Sequence, residues 1–249
     1  DEIGDLSGSL RRMTDALYDR IEAIESFAAD VAHEIKNPLT SLRSAVETMR
    51  LARSDDARER LLSVIENDVR RLDRLVTDIS NASRLDAELV REDMDVFDFR
   101  SLVQTVVDIS GPQAEKRKVE IHVRLPETAL PLRGMESRLA QVLHNILDNA
   151  LSFSAPGDAI TVSAQTKPFG VRPGLCLEII DEGAGIPEEN LESIFSRFYS
   201  QRPEDEEFGG HSGLGLSICR QIVEAHGGAV WAENRADRAG AKFSVHLPS

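Results

Sequence analysis

The run His33-Glu34-Ile-Lys-Asn37-Pro38 puts a histidine where packing has no use for one. At about 100° of turn per residue, Phe27, Val31, Ile35, Pro38, Leu42, Val46 and Met49 share one sector of a helix and predict a buried stripe. His33 falls nearly opposite that stripe, with Lys36, Asn37 and Thr40 on its side and Glu34 toward the flank. It is expected to face solvent. An imidazole is largely unprotonated at neutral pH, and an adjacent carboxylate that bonds one ring nitrogen selects the other for attack. The pair suits a nucleophile. Pro38 removes a backbone donor inside the helical pattern at a cost of about 3 kcal/mol.

Four more clusters follow in the second half. Asn145 and Asn149 stand four apart on a predicted helix whose other face is Val142, Leu143, Ile146 and Leu147. An amide carbonyl there is a hard oxygen ligand of the kind that suits Mg²⁺ carrying phosphates, although polar helix residues facing water read the same way. Asp181-Glu-Gly183-Ala-Gly185-Ile-Pro187 comes directly after an apolar strand. Its carboxylate can accept from an exocyclic amine, as adenine offers, and its glycines let backbone approach a flat ring; a plain turn would use the same residues. Ile194-Phe195-Ser-Arg-Phe198-Tyr199 has apolar residues at helical spacing, the signature of core. Gly209-Gly-His-Ser-Gly213-Leu-Gly215-Leu ends where an amphipathic helix begins, and backbone N–H groups at such a terminus cradle anions. It lacks the Gly-Lys-Ser/Thr tail of a P-loop.

These residues need two kinds of scaffold. Ile3, Leu6, Leu10, Met13 and Leu17 recur by threes and fours, a coiled-coil seam that continues through Ile21, Ile24 and Phe27 as one helix to about Arg50. Arg53-Ser-Asp-Asp56 is a polar turn with N-cap chemistry. A second helix follows from about Ala57, with Leu62, Ile65, Val69, Leu72, Val76 and Ile79 on its apolar repeat. A single hairpin buries little, so two copies pairing into an antiparallel four-helix bundle is the expected solution.

Residues 91–98 are acidic and unperiodic and read as a linker. From Phe99 the pattern changes to helices at Leu102 to about Lys116, Ser137 to about Leu151 and a third ending at His226. Strands are expected at 119–125, 160–164, 175–180, 229–233 and 242–247. That order predicts a two-layer α/β sandwich over 99–249.

The chain has 249 residues with a formal net charge of −14, a balance that opposes a nucleic-acid partner. Its two cysteines, Cys176 and Cys219, have no metal-ligand or redox spacing. No apolar run is long enough to span a bilayer. The chain opens without Met inside a helical pattern, so a membrane segment is expected upstream.

The ordered set, His33-Glu-Ile-Lys-Asn-Pro, the Asn pair, D-x-G-x-G, F-x-x-F and G-x-G-L, resembles the sensor histidine kinases of bacterial two-component systems. The likeness covers practically the whole chain. Asp1-Glu-Ile-Gly-Asp5 resembles the start of the second helix of a HAMP relay, placed at 1–20. Residues 21–90 resemble the dimerization and phosphotransfer (HisKA) hairpin. Residues 99–249 resemble the catalytic ATP-binding domain of the gyrase and heat-shock-protein-ninety (GHKL, Bergerat) type. Phe27 to Met49 and Asn149-Ala-Leu-Ser-Phe-Ser154 look like the alphaproteobacterial ChvG-type envelope sensors.

The resemblance implies a protein histidine kinase that autophosphorylates with ATP and Mg²⁺, passes the phosphoryl group to an Asp of a response regulator, and dephosphorylates that regulator. It implies His33 as phosphoacceptor, Glu34 as its acid/base partner and Asn37 as the residue that orients water. Asn149 matches the Mg²⁺ ligand with Asn145 on the same face, and Asp181 matches the adenine reader with Gly183 and Gly185 at its loop. Ser212, Gly213, Leu214 and Gly215 match the phosphate-side end of a lid. Ser152 and Ser200 stand where many members carry a cation, and Arg202 is the expected substitute. A homodimer in the inner membrane with this part in the cytoplasm follows. The competing readings are a GHKL-type ATPase without phosphohistidine chemistry and a noncatalytic signalling dimer with a decayed nucleotide site.

Overall fold

The computed structural model describes residues 2–52, 54–89, 94–168, 170, 173–199 and 213–248, which form two separate compact units. The first holds the helical hairpin of α1 (Glu2–Met49) and of α2 (Asp55–Leu89) as far as Ile79. Ser54 starts α2: its hydroxyl accepts from the Ala57 N–H at 3.3 Å, and Asp55 and Asp56 place negative charge at the positive end of the helix dipole. Inside the hairpin Ala45, Leu75 and Pro38 are buried. Val46 of the predicted stripe is 44% exposed, and Leu62, Val69 and Val76 of the α2 repeat are 50%, 52% and 59% exposed. The reason is geometric. Two helices cover only one face of each other, and Leu62, Val69 and Val76, spaced by sevens, lie one residue round from the seam formed by Leu61, Asp68 and Leu75.

The second unit is an α/β sandwich. Its sheet has the order β2 (Glu120–Arg124), β4 (Ala159–Thr166), β5 (Gly174–Ile180), β7 (Ala241–Pro248), β6 (Ala229–Asn234), with β2 and β4 parallel and the other pairs antiparallel. Helices α3 (Phe99–Arg117), α4 (Glu136–Phe153) and α5 (Gly215–Ala225) supply the other layer. Alternation along β4 sends Ile160, Val162 and Ala164 into the core, which Leu143, Ile146 and Leu147 of α4 also enter.

Two strands were not expected. Part of the segment read as linker is β1 (Asp95–Asp98), which pairs antiparallel with β3 (Pro131–Gly134) as a separate two-stranded sheet. Asp98 explains why this acidic stretch is ordered: its Oδ1 accepts from the N–H groups of Arg100 at 3.1 Å and Leu130 at 2.9 Å, capping α3 and tying it to β3. The Leu130 bond, above all, holds the Asp98 carboxyl below the usual range. At the far end of the core His226 joins two helices. Its Nδ1 donates to the Ile222 carbonyl at 2.7 Å and its Nε2 accepts from the Met135 N–H at 3.0 Å.

Candidate functional site

On the hairpin, His33 is exposed on α1 and makes no hydrogen bond among the described residues. Asn37, one turn on, is exposed as well, and Pro38 between them and the next turn is buried, its missing N–H leaving the Glu34 carbonyl without its helical donor. Glu34 was expected to bond the imidazole. It is instead held from across the hairpin: Arg71 Nη2 donates to Glu34 Oε2 at 3.1 Å, with both side chains 23% exposed. A cation outcompetes a neutral ring for a half-buried carboxylate.

In the sandwich, helix α4 is the wall on which the candidate residues assemble. Positions 145, 149 and 153 recur every four residues and share one stripe. At one end Asn145 Nδ2 donates to the Gly215 carbonyl at 3.1 Å, bracing α4 against the start of α5. At the other end the Phe153 carbonyl lies against Gly183, where an added Cβ would come within 2.5 Å of it. Asn149 sits between them, half-buried, and its amide has no partner among the described residues. One Asn of the pair is thus a brace, and the other keeps its oxygen free. Ser152 donates to the Asn149 carbonyl at 2.8 Å.

Asp181 directly follows β5 and is 3% exposed. Its Oδ1 accepts from the N–H groups of Gly183 at 2.9 Å and Ala241 at 3.0 Å, which leaves Oδ2 as the oxygen available to a ligand. Burial pushes this carboxyl above the usual range, against the pull of those two bonds. Gly185 has φ +83°, open only to glycine without strain.

At Gly213 φ is +73°, and an added Cβ would lie 2.7 Å from the Phe198 carbonyl carbon. Leu214 is fully buried, and Gly215 opens α5 with no side-chain cap, so the first backbone N–H groups of that helix are unclaimed by a capping side chain. Arg202, Ser212 and Ser200 lie outside the described residues.

The F-x-x-F segment supplies core as its spacing suggested, with Ile194 and Phe195 buried. Only Ser193–Phe195 forms a 3₁₀ turn, and Phe198 stands at φ +59°. Phe195 meets Phe243 edge-on at 6.4 Å, and Arg220 of α5 caps its ring at 4.4 Å while pairing with Glu192 at 2.7 Å.

Four residues that sequence reasoning passed over complete the Asp181 loop: Asn234, Arg235, Gly240 and Ala241. Ala241 bonds Asp181 twice, its N–H to Oδ1 and its carbonyl from the Asp181 N–H at 3.0 Å. Arg235 reaches the Asp181 carbonyl at 3.4 Å. Gly240 packs so close to that carbonyl that no Cβ fits. Its glycine was the one available signal.

Residues 23–88 match the His Kinase A (phospho-acceptor) domain, and residues 134–249 match the histidine kinase-, DNA gyrase B- and HSP90-like ATPase family. The chain is 49% identical over 259 residues to the sensor protein ChvG of Rhizobium meliloti (strain 1021), covering 100% of this chain and 44% of that protein. It is 48% identical over 260 residues to ChvG of Agrobacterium fabrum (strain C58 / ATCC 33970), covering 100% and 43%. The chain therefore spans less than half the length of these relatives. Among solved structures, it is similar to the histidine kinase ThkA in complex with the response regulator protein TrrA, at TM-score 0.71 and 26% identity, covering 92% of this chain and 63% of that one.

Proposed function

The chain belongs to the sensor histidine kinases, and we propose that it transfers the γ-phosphoryl group of ATP to His33 and then to an aspartate of a response regulator. The observation that carries this reading is the pairing, in one chain, of an exposed unbonded imidazole with a cleft wall whose acceptor, free amide oxygen and helix N-terminus fit the three parts of a nucleotide.

In the cleft, Asp181 Oδ2 accepts from the exocyclic amine of adenine, and Oδ1 is held still by backbone so that only one oxygen is presented. The N–H groups at the start of α5 face phosphate oxygens. Asn149 offers a neutral hard oxygen, and among the described residues no group of three His, Cys, Asp or Glu could hold a metal by itself. That donor set fits Mg²⁺ delivered with its phosphates, since this ion keeps several waters and takes few protein ligands. When bound it neutralises phosphate charge.

At the hairpin, a ring nitrogen of His33 attacks the γ-phosphorus as the bond to the β-bridging oxygen breaks. ADP leaves with that electron pair, and Glu34 takes the ring proton once it leaves Arg71. Asn37, exposed on the same face, orients water for hydrolysis of the regulator's aspartyl phosphate. Arg202 supplies the cation missing at Ser152 and Ser200.

The exposed heptad residues Leu39, Val46, Leu62, Val69 and Val76 fit a second copy of the chain, giving a homodimeric four-helix bundle. No described helix is long and apolar enough to cross a membrane. The full-length protein is held at the inner membrane in this reading, with residues 1–20 as relay.

The test is incubation with γ-labelled ATP. Label should enter the wild-type chain, resist alkali, leave in acid, and be absent from His33→Gln while that variant still binds ADP; label on His33→Gln would refute the assignment. Asn37→Ala should retain autophosphorylation and slow dephosphorylation of the regulator.

A further inference from the structure

The loop that carries Asp181 is fastened at both ends by one hairpin, β6 to β7. Asp181 is fastened by Ala241, the first residue of β7. Ile186, at the loop's other end, is fastened by Asn234, the last residue of β6. Asn234 Oδ1 accepts from the Ile186 N–H at 2.8 Å, and its Nδ2 donates to the Ile186 carbonyl at 2.6 Å. Asn234 and Ala241 are themselves a cross-strand pair in the sheet. The loop 181–186 is therefore one side of a closed frame whose other side is a pair of strands.

This two-point amide grip is chemically narrow. It needs an acceptor and a donor on two separate atoms of a short side chain, a combination that Asp and Ala lack and that Ser carries only on a single oxygen. The segment it holds also depends on it sterically. Gly185 lies between the fixed ends at φ +83°, with its α-carbon so near the amide that an added Cβ would be 2.9 Å from Asn234 Oδ1. Glycine leaves the loop the freedom to move, and the Asn234 grip removes it.

We propose that Asn234 is a positioning residue for purine recognition, holding the Gly183–Ile186 backbone in the single register that presents Asp181 and the glycines to the base. The proposal rests on the nucleotide-site reading above. Asn234 touches no reacting group, so its contribution falls on binding of the base. Because the grip is exposed to solvent, the effect is moderate in size.

Titration of ADP and GDP with Mg²⁺, together with ATP-dependent autophosphorylation, tests it on Asn234→Ala and Asn234→Asp. Asp keeps the size and one acceptor but sets a carboxylate against the Ile186 carbonyl. Both variants should weaken ADP about five- to tenfold and weaken GDP less, so that the preference for adenine narrows. The KM for ATP should rise by the same factor, with kcat changed less than twofold. Unchanged ADP affinity in a folded Asn234→Ala, or a fall in melting temperature with no change in the ADP/GDP ratio, overturns the role of Asn234. Absence of ADP binding in the wild type would instead overturn the nucleotide site itself.

Discussion

Arg71 of α2 donates to the carboxylate of Glu34 on α1 at 3.1 Å, one residue from His33, so the base expected to serve the imidazole is engaged by a cation from the opposite helix. The pair ties the hairpin together beside His33. In the proposed mechanism Glu34 lets go of Arg71 before it takes a proton from His33.

Replacing Arg71 therefore has two consequences. Arg71→Ala should raise the initial rate of autophosphorylation about two- to fivefold at unchanged KM for ATP, because the released carboxylate is free for His33. It should also cost the hairpin about 1 kcal/mol in denaturant unfolding, and the Arg71→Ala, Glu34→Ala cycle should show a coupling of similar size. A rate that falls, or additive effects, would mean that the pair only packs the hairpin.

Asp181→Asn keeps the oxygen that accepts from Gly183 and Ala241 but turns the ligand-facing oxygen into a donor. ADP binding should be lost while the fold remains. The pH dependence has a definite sign. Burial raises the Asp181 carboxyl in the folded state, so in the window above the ordinary Asp value the native state binds more protons than the unfolded chain. Its contribution to stability is therefore lost as pH rises through that window. The stability of wild type relative to Asp181→Asn should fall on going from acid to neutral pH, and a flat difference in paired melting curves would contradict it.

Lys118 ends α3 in the left-handed conformation, at φ 59° and ψ 41°, with its N–H on the Glu115 carbonyl at 3.0 Å. Glycine is the usual occupant of such a cap. The left-handed state costs a Cβ residue about 1–2 kcal/mol, and glycine gives back about 0.5–1 kcal/mol in unfolded-state entropy. Lys118→Gly should stabilise the catalytic domain by about 0.5 kcal/mol in urea unfolding and leave ADP affinity unchanged.

Val69 and Val76 are 52% and 59% exposed on the hairpin's second face. The double change Val69→Glu, Val76→Glu should convert a dimer to a monomer in sedimentation velocity while ADP still binds, since Asn149, Asp181 and Gly215 all belong to the other unit. A dimer that survives would place the interface elsewhere.

Periodicity alone determined the long helices, the exposed position of His33, and a D-x-G-x-G loop following a buried strand, because these depend on residues within a few turns of one another. Only tertiary structure decided who holds what. Local spacing says that Leu61 and Leu62 are both apolar, but the partner helix covers just one of them. Spacing cannot show that Glu34 meets Arg71, 37 positions away, that Asn145 braces Gly215, or that Asn234 and Ala241 frame a loop more than forty residues earlier. The same limit hid β1, an acidic stretch ordered by what Asp98 finds at Leu130. Hydrogen bonds and ion pairs between distant elements are chosen by strand register and helix packing, and a linear pattern carries neither.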